Sequence, residues 1–362
     1  MLPDKLEGIG WVMYETLRRM VMLHPEVEFY FFFDRKPDPK YLFASNVKPV
    51  VLFPQARHPF LYVWYFECSV ARALERIKPD LFYSPDGYLS LHTDVPSVAH
   101  FHDLNFEHFP KDMPPLDLWH YKKYFSRFAH KAQRIITVSE FSKTDISQCY
   151  NINPDKIDVA YNGANELFVP ISDEEKLVIR QKHTQGKPYF IFVGSLHPRK
   201  NLARLFPAYD LFREQSNNDI KLMIVGEKRW WTEDIRHAYN NMRHKGDVVF
   251  MGHLSAVELH QVTAAAFASL YVSYFEGFGI PIVEAFRCKV PVITSNVSSM
   301  PEVAADAALL VDPFKLTSIA DAMLQIQNDY LRKELIDKGW KRKDSFSWDL
   351  CADHIWNSLM KI

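Results

Sequence analysis

Short runs rich in Val, Ile, Phe and Tyr alternate with helix-length segments along almost the whole 362-residue chain, and the alternation occurs twice. In the first half EVEFYFFFD, DLFYSPD, PSVAHFHDL, AQRIITVS and KIDVAYNG read as strands, with helices at SVARALERI, residues 117–130 and SEFSKTDISQCY. In the second half PYFIFVG, IKLMIVG, DVVFMG, ASLYVSY and VPVITS read as strands, separated by helical stretches at 201–215, 232–244, 255–266 and 281–288. Strands this short, each followed by a helix, leave few architectures open. They predict parallel sheets built from right-handed βαβ units. The expected fold class is therefore α/β, with two doubly wound, Rossmann-like domains whose ligand crevices lie at strand carboxyl ends and face each other across a cleft.

The strand signal lapses in YNGANELFVPISDEEKLVIRQKHTQGKP, which places the boundary near residue 172. An N-terminal domain over 1–172 and a C-terminal domain over 173–344 follow, with the amphipathic tail 345–362 expected to pack back on the first. The opening is unusual. A doubly wound domain ordinarily begins with a strand, a Gly-rich turn and a helix. Here the turn (Gly8, Gly10) and the helix (Trp11–Met22) stand behind seven residues, MLPDKLE, that are too polar for a core strand. The first strand of the N-terminal domain is thus expected to be lacking: either coding sequence precedes the recorded Met1 or the first sheet closes differently.

Bulk properties exclude several classes. A net charge of −1 supplies no field for nucleic acid. Cys68, Cys149, Cys288 and Cys351 are scattered without paired spacing, which suits a reducing compartment and argues against disulfides or a thiolate zinc site. No apolar run approaches the ~18–20 residues of a membrane span, and MLPDKLEGIGW lacks an apolar signal region, so a cytoplasmic chain is expected. The aromatic stretch FPQARHPFLYVWYF, residues 53–66, reads either as core with a half-buried loop or as an interface for a lipid-borne partner through Trp64 and Tyr65.

Residues 273–284, SYFEGFGIPIVE, carry the sharpest chemical signal. The segment follows a strand, and Pro281 suits the first turn of a helix. Gly277 and Gly279 let backbone approach a ligand closely, and the helix start favours an anion. Glu284, one turn inside, offers a fixed acceptor to which both hydroxyls of a ribose can donate, while Glu276 can face what lies beyond the phosphates. The same spacing also fits a tight turn whose glutamates complement the helix dipole. On spacing alone the two readings stand level.

EGFGIPIVEA, together with HDLNFEHFP, ITVSEFSKTDI, YNGANELF, VGSLHPRKNL, VVFMGHLS and SSMPEVAADAALLVDP, resembles the family 4 ("group 1") retaining glycosyltransferases of GT-B fold, in order and spacing, from Gly8 to the C-terminal FSW helix. The resemblance implies a nucleotide diphosphate-sugar donor, with the base near VVFMGHL, the ribose on Glu284, and the diphosphate on Lys200, Arg199 and the backbone of Gly277, Phe278 and Gly279. It implies that Glu276 and His102 reach the transferred sugar and that Gly8 and Gly10 lie under the sugar diphosphate. Many members carry arginine where this chain has Ser195, which removes one phosphate contact and raises the weight on Lys200. Glu276, His102 and Lys200 are the expected catalytic residues.

No cofactor and no obligatory metal are expected, since the chain has no Asp-x-Asp and the H-x-H-D of His100, His102 and Asp103 is not followed by the remaining ligands of a metallohydrolase. Ser139 is expected either to cap a helix or to face the ligand. Lys289 stands where members commonly have a C-capping glycine. The likeness to bacterial mannosyltransferases of surface polysaccharide assembly favours GDP-mannose and a saccharide or lipid-linked acceptor bound by the first domain, with peripheral membrane contact. The rival readings are a non-catalytic sugar-nucleotide-binding homologue and an epimerase or phosphorylase of the same fold.

Overall fold

The computed structural model describes Leu6, residues 8–56 and residues 58–362. The chain divides into two compact units: residues up to Gly163 together with Ser347–Ile362, and Ala164–Phe346. The division falls ahead of residue 172 because the stretch after Gly163 is anchored to the second unit. Phe168 is buried, its carbonyl accepts from Arg287 Nε at 3.3 Å, and its ring meets His260 edge-on.

Among the described residues of the first unit the strands are β1 (Phe29–Phe33), β2 (Val47–Val51), β3 (Phe82–Ser84), β4 (Ser97–Phe101), β5 (Arg134–Thr137) and β6 (Ile157–Val159), and each pairing between them is parallel. They form two sheets, β1-β2 and β3-β4-β5-β6. The first strand that the sequence is expected to lack would fall on residues 1–7, of which all but Leu6 lie outside the described residues. Among the described residues β1 and β3 are not paired, and the Phe32 and Phe82 rings stack between them at 6.2 Å. β4, SVAHF, is buried throughout, as a strand covered on both faces requires.

The C-terminal helix Trp348–Leu359 belongs to this unit. Arg19, on the first helix, holds both Glu15 and Asp349, His24 stacks on Trp356 at 3.6 Å, and Asp158 accepts from Ser358 Oγ at 2.6 Å and Lys361 Nζ at 2.8 Å. The approach at Gly163 is so close that a Cβ there would lie 2.4 Å from the Trp348 backbone nitrogen.

The second unit is a complete doubly wound sheet. Its strands β7 (Tyr189–Val193), β8 (Lys221–Val225), β9 (Val248–Gly252), β10 (Ala268–Tyr271), β11 (Val292–Ser295) and β12 (Ala308–Val311) run parallel in the order β12-β11-β10-β7-β8-β9. The apolar residues of β7, β8 and β10 pack against the helices Leu202–Gln215 and Leu316–Gln325 to make a buried core. The winding direction reverses between β7 and β10. Loops leaving adjacent strands there diverge, and that is where open parallel sheets bind ligands.

Candidate active site

Both loops at this switch point carry charge. The loop after β7 runs through Gly194, Ser195 and the short 3₁₀ turn Pro198–Lys200, which His197 caps, into the helix Leu202–Gln215. Asn201, in left-handed backbone at φ 66°, ties this loop across to the second one: its Nδ2 donates to Val272 O at 3.0 Å and Pro313 O at 2.7 Å. The loop after β10 is the EGFG segment. Ser299 Oγ donates to the carbonyls of Glu276 (2.8 Å) and Phe278 (3.0 Å), and Glu276 N–H donates to Ser298 Oγ at 3.1 Å. Phe278 is buried with its ring edge-on to Phe346. Gly279, at φ 111°, turns the chain into the helix Ile280–Arg287, a conformation in which a Cβ would also press on Ile282 and Tyr271.

The two loops meet in an ion cluster. Glu276 is only 5% exposed; its Oε1 accepts from Lys200 Nζ at 2.6 Å and its other oxygen pairs with Arg199, whose guanidinium also reaches Phe275 O. Lys200, 7% exposed, additionally donates to Tyr271 OH at 2.7 Å and lies over that ring. Burial alone would raise the Glu276 carboxyl, but Arg199 and Lys200 outweigh it and bring it down to about 2. Glu284, on the helix Ile280–Arg287, is its opposite. No cation or donor pairs with its carboxyl among the described residues, and burial pushes it up to about 7.

Sequence reasoning assigned Arg199 and Lys200 to one ligand group and Glu276 to another; the fold joins all three. One carboxylate offsets only one of the two cations, so the cluster keeps a net positive charge that an anion can share with Glu276. Tyr271 and Asn201 were not foreseen, because a strand-terminal Tyr and a loop Asn carry no spacing signal. Ser195 lies beside Gly194 on the β7 loop, partly buried.

His102, Gly8 and Gly10 lie in the first unit. His102 follows β4; its Nε2 donates to Pro85 O at 2.9 Å, which leaves Nδ1 as acceptor, and its ring stacks on His100 at 4.4 Å. Burial lowers its pKa, so the ring is neutral near pH 7. Asp103 fixes the same loop by accepting from Asn105 N–H at 3.0 Å. Ser139 caps the helix Glu140–Tyr150, accepting from Ser142 N–H at 3.0 Å. Gly8, at φ 38°, precedes the helix Ile9–Leu23, and Gly10 sits inside its first turn instead of in a loop.

Residues 6–166 match the family described as Glycosyltransferase Family 4, and residues 173–342 match Glycosyl transferases group 1. The chain carries the two domains of a family 4, group 1 glycosyltransferase. This glycosyltransferase is 29% identical over 369 residues to O-antigen chain mannosyltransferase B of Escherichia coli, covering 98% of this chain and 96% of that one. It is 30% identical over 197 residues to O-antigen chain mannosyltransferase RfbU of Salmonella typhimurium strain LT2, 54% and 52% of the two chains. Its fold is GT-B. The Anabaena protein Alr3699/HepE, solved with UDP-glucose, superposes with a TM-score of 0.76 at 18% identity over 99% of this glycosyltransferase and 98% of that chain. WaaG, a glycosyltransferase involved in lipopolysaccharide biosynthesis, superposes with a TM-score of 0.74 at 14% identity over 98% and 96%.

Proposed function

We propose that this glycosyltransferase moves a mannosyl residue from GDP-mannose, with retention of anomeric configuration, to a saccharide or lipid-linked saccharide during surface polysaccharide assembly. The mannosyltransferase relatives support the sugar. The observation that carries the site is the Arg199–Lys200–Glu276 cluster at the switch point, with Lys200 and Glu276 buried and Arg199 partly exposed. Two cations at the end of a parallel sheet, one of them desolvated, are suited to a departing diphosphate, whose charge grows as the glycosidic bond breaks. In this reading the diphosphate takes Arg199 and Lys200, assisted by the backbone of Gly277, Phe278 and Gly279 at the start of the helix Ile280–Arg287. Glu276, released from one or both cations, turns to a sugar hydroxyl. Glu284, a carboxylate lacking donors, takes the ribose hydroxyls. His102 accepts from the transferred sugar through Nδ1, and Gly8 and Gly10 let backbone approach the donor. No carboxylate pair is assigned as nucleophile and base, so departure and attack occur on one face and the leaving phosphate receives the acceptor proton. Arg199 and Lys200 supply the charge stabilisation, without an obligatory metal.

The first unit offers a surface suited to a lipid-borne acceptor. Phe60 and Trp64, one turn apart, and Trp119, in ring contact with Phe60 at 5.8 Å, are exposed, and Lys123 lies over Trp119 at 4.8 Å.

A thermal-shift panel of UDP-, GDP-, ADP- and dTDP-sugars tests the donor, because ligand at about 100 times its dissociation constant adds about 2.7 kcal/mol of stability. GDP-mannose is expected to give the largest shift, and Lys200→Ala to lose most of it. Glu276→Gln is expected to keep donor binding but to slow transfer by more than about a hundredfold. Full transfer rates in both variants would remove the assignment.

A further inference from the structure

A second cluster of chemically reactive side chains lies in the first unit. The short helix Asn105–His108 brings His108 against the helix Glu140–Tyr150, which presents Asp145 and Cys149 one turn apart on one face. His108 Nε2 lies 2.7 Å from Asp145 Oδ1, Cys149 Sγ lies 3.5 Å from the same oxygen, and Sγ and Nε2 are 3.9 Å apart. One ligand atom from each residue thus falls within 4.8 Å of the other two. The carboxylate of Asp145 is buried, and no Lys or Arg pairs with it among the described residues.

The geometry points to a binding site here for a thiophilic divalent cation of the zinc class, held by His108 Nε2, Asp145 Oδ1 and Cys149 Sγ. The metal–ligand distances of tetrahedral zinc, about 2.0–2.3 Å, require ligand atoms roughly 3.3–3.7 Å apart. Two edges of the triangle already lie close to that, and the third must open by about half an ångström. Imidazole, carboxylate and thiolate suit zinc, cobalt or cadmium; magnesium and calcium prefer oxygen donors throughout. The charges balance. Binding releases the Cys149 thiol proton to solvent; the proton through which His108 Nε2 meets Asp145 Oδ1 must also leave that nitrogen, the ring keeping a proton on Nδ1, so a dication meets two anionic ligands and one neutral one. His108 and Cys149 lie at the surface, which gives the ion a path and leaves the fourth position to solvent. The scattered cysteines argued against a thiolate site by spacing; the donors converge only in the fold, from segments 41 residues apart.

The bound ion would staple the segment following the His102–Asp103 loop to the helix that Ser139 caps. Titration of the full chain with Co²⁺ tests this. One equivalent is expected to bind with strong tetrahedral visible bands and a near-ultraviolet thiolate-to-cobalt band, bleached by zinc. Cys149→Ser should lose the thiolate band, His108→Gln should weaken binding by more than about tenfold, and Cys68→Ser should change neither. Persistence of the band in Cys149→Ser, or weak octahedral colour alone in the wild type, would overturn the site. A measurement without substitution reads the same point: stoichiometric zinc is expected to slow alkylation of Cys149 by more than about tenfold, and an unchanged rate would refute the coordination.

Discussion

Glu276 and Glu284 share a loop–helix segment yet sit in contrary electrostatic states. Glu276 is held ionised by Arg199 and Lys200, so its contribution to stability is present above the ordinary carboxylate range and fades as pH falls towards about 2. Glu284 has no partner among the described residues and is lifted from 4.5 to about 7, so the folded chain binds its proton more tightly than the unfolded chain does. Its contribution is complete below the unfolded value and is lost as pH rises through the folded one. Glu284→Gln should therefore stabilise the ligand-free protein by up to about 3 kcal/mol near pH 8 and by almost nothing near pH 4. Urea unfolding at the two pH values checks this; an equal effect at both would show that the carboxyl is solvated. The same substitution should weaken nucleotide binding. The spacing of the two glutamates was legible in the sequence, but their difference was not. It arises from Lys200, 76 residues away, and from burial, neither of which spacing encodes.

The helix Ile280–Arg287 shows how an element ends against its residue's preference. Val290 N–H donates to Ala285 O and Lys289 N–H to Phe286 O, a Schellman pairing that requires left-handed backbone at Lys289, observed at φ 55°. The sequence marked this position as one where glycine would be easier. Lys289→Gly should raise stability by about 0.5–1 kcal/mol, reduced by loss of the Lys289 contact with the Trp340 ring at 4.7 Å. Chemical denaturation of the variant reads it, and a destabilised variant would mean that the ring contact outweighs the strain. Elements were read best where both faces are buried. The strands that escaped are β2 and β12, each at the outer end of its sheet. β2, VKPVV, carries Pro49 and is largely exposed, so neither composition nor alternation marks it. β12 is partly exposed for the same reason.

At the scale of the whole molecule, no helix among the described residues is long and apolar enough to cross a membrane. Phe60, Trp64 and Trp119 expose their rings beside Lys123, and in the proposed reading this patch is what attaches the chain at a bilayer surface. The chain should co-sediment with vesicles containing anionic lipid, more weakly at high salt. Phe60→Ser with Trp64→Ser should reduce partitioning by more than about tenfold, since each buried aromatic contributes roughly 1.5–3 kcal/mol. Partitioning that ignores both substitutions would place the contact elsewhere. The aromatic run was visible in the sequence, but its solvent-facing half became distinct only when Tyr65 turned inwards and Trp64 outwards.

The close approach at Gly163 bears on what the chain tolerates. A Cβ there would also lie 2.7 Å from the Ser347 carbonyl carbon and 2.8 Å from the Trp348 ring. Main chain cannot swing aside as the tip of a long side chain does, so Gly163→Ala must lift the start of the helix Trp348–Leu359 from its seat. Shape, with no chemistry involved, reserves that position for glycine.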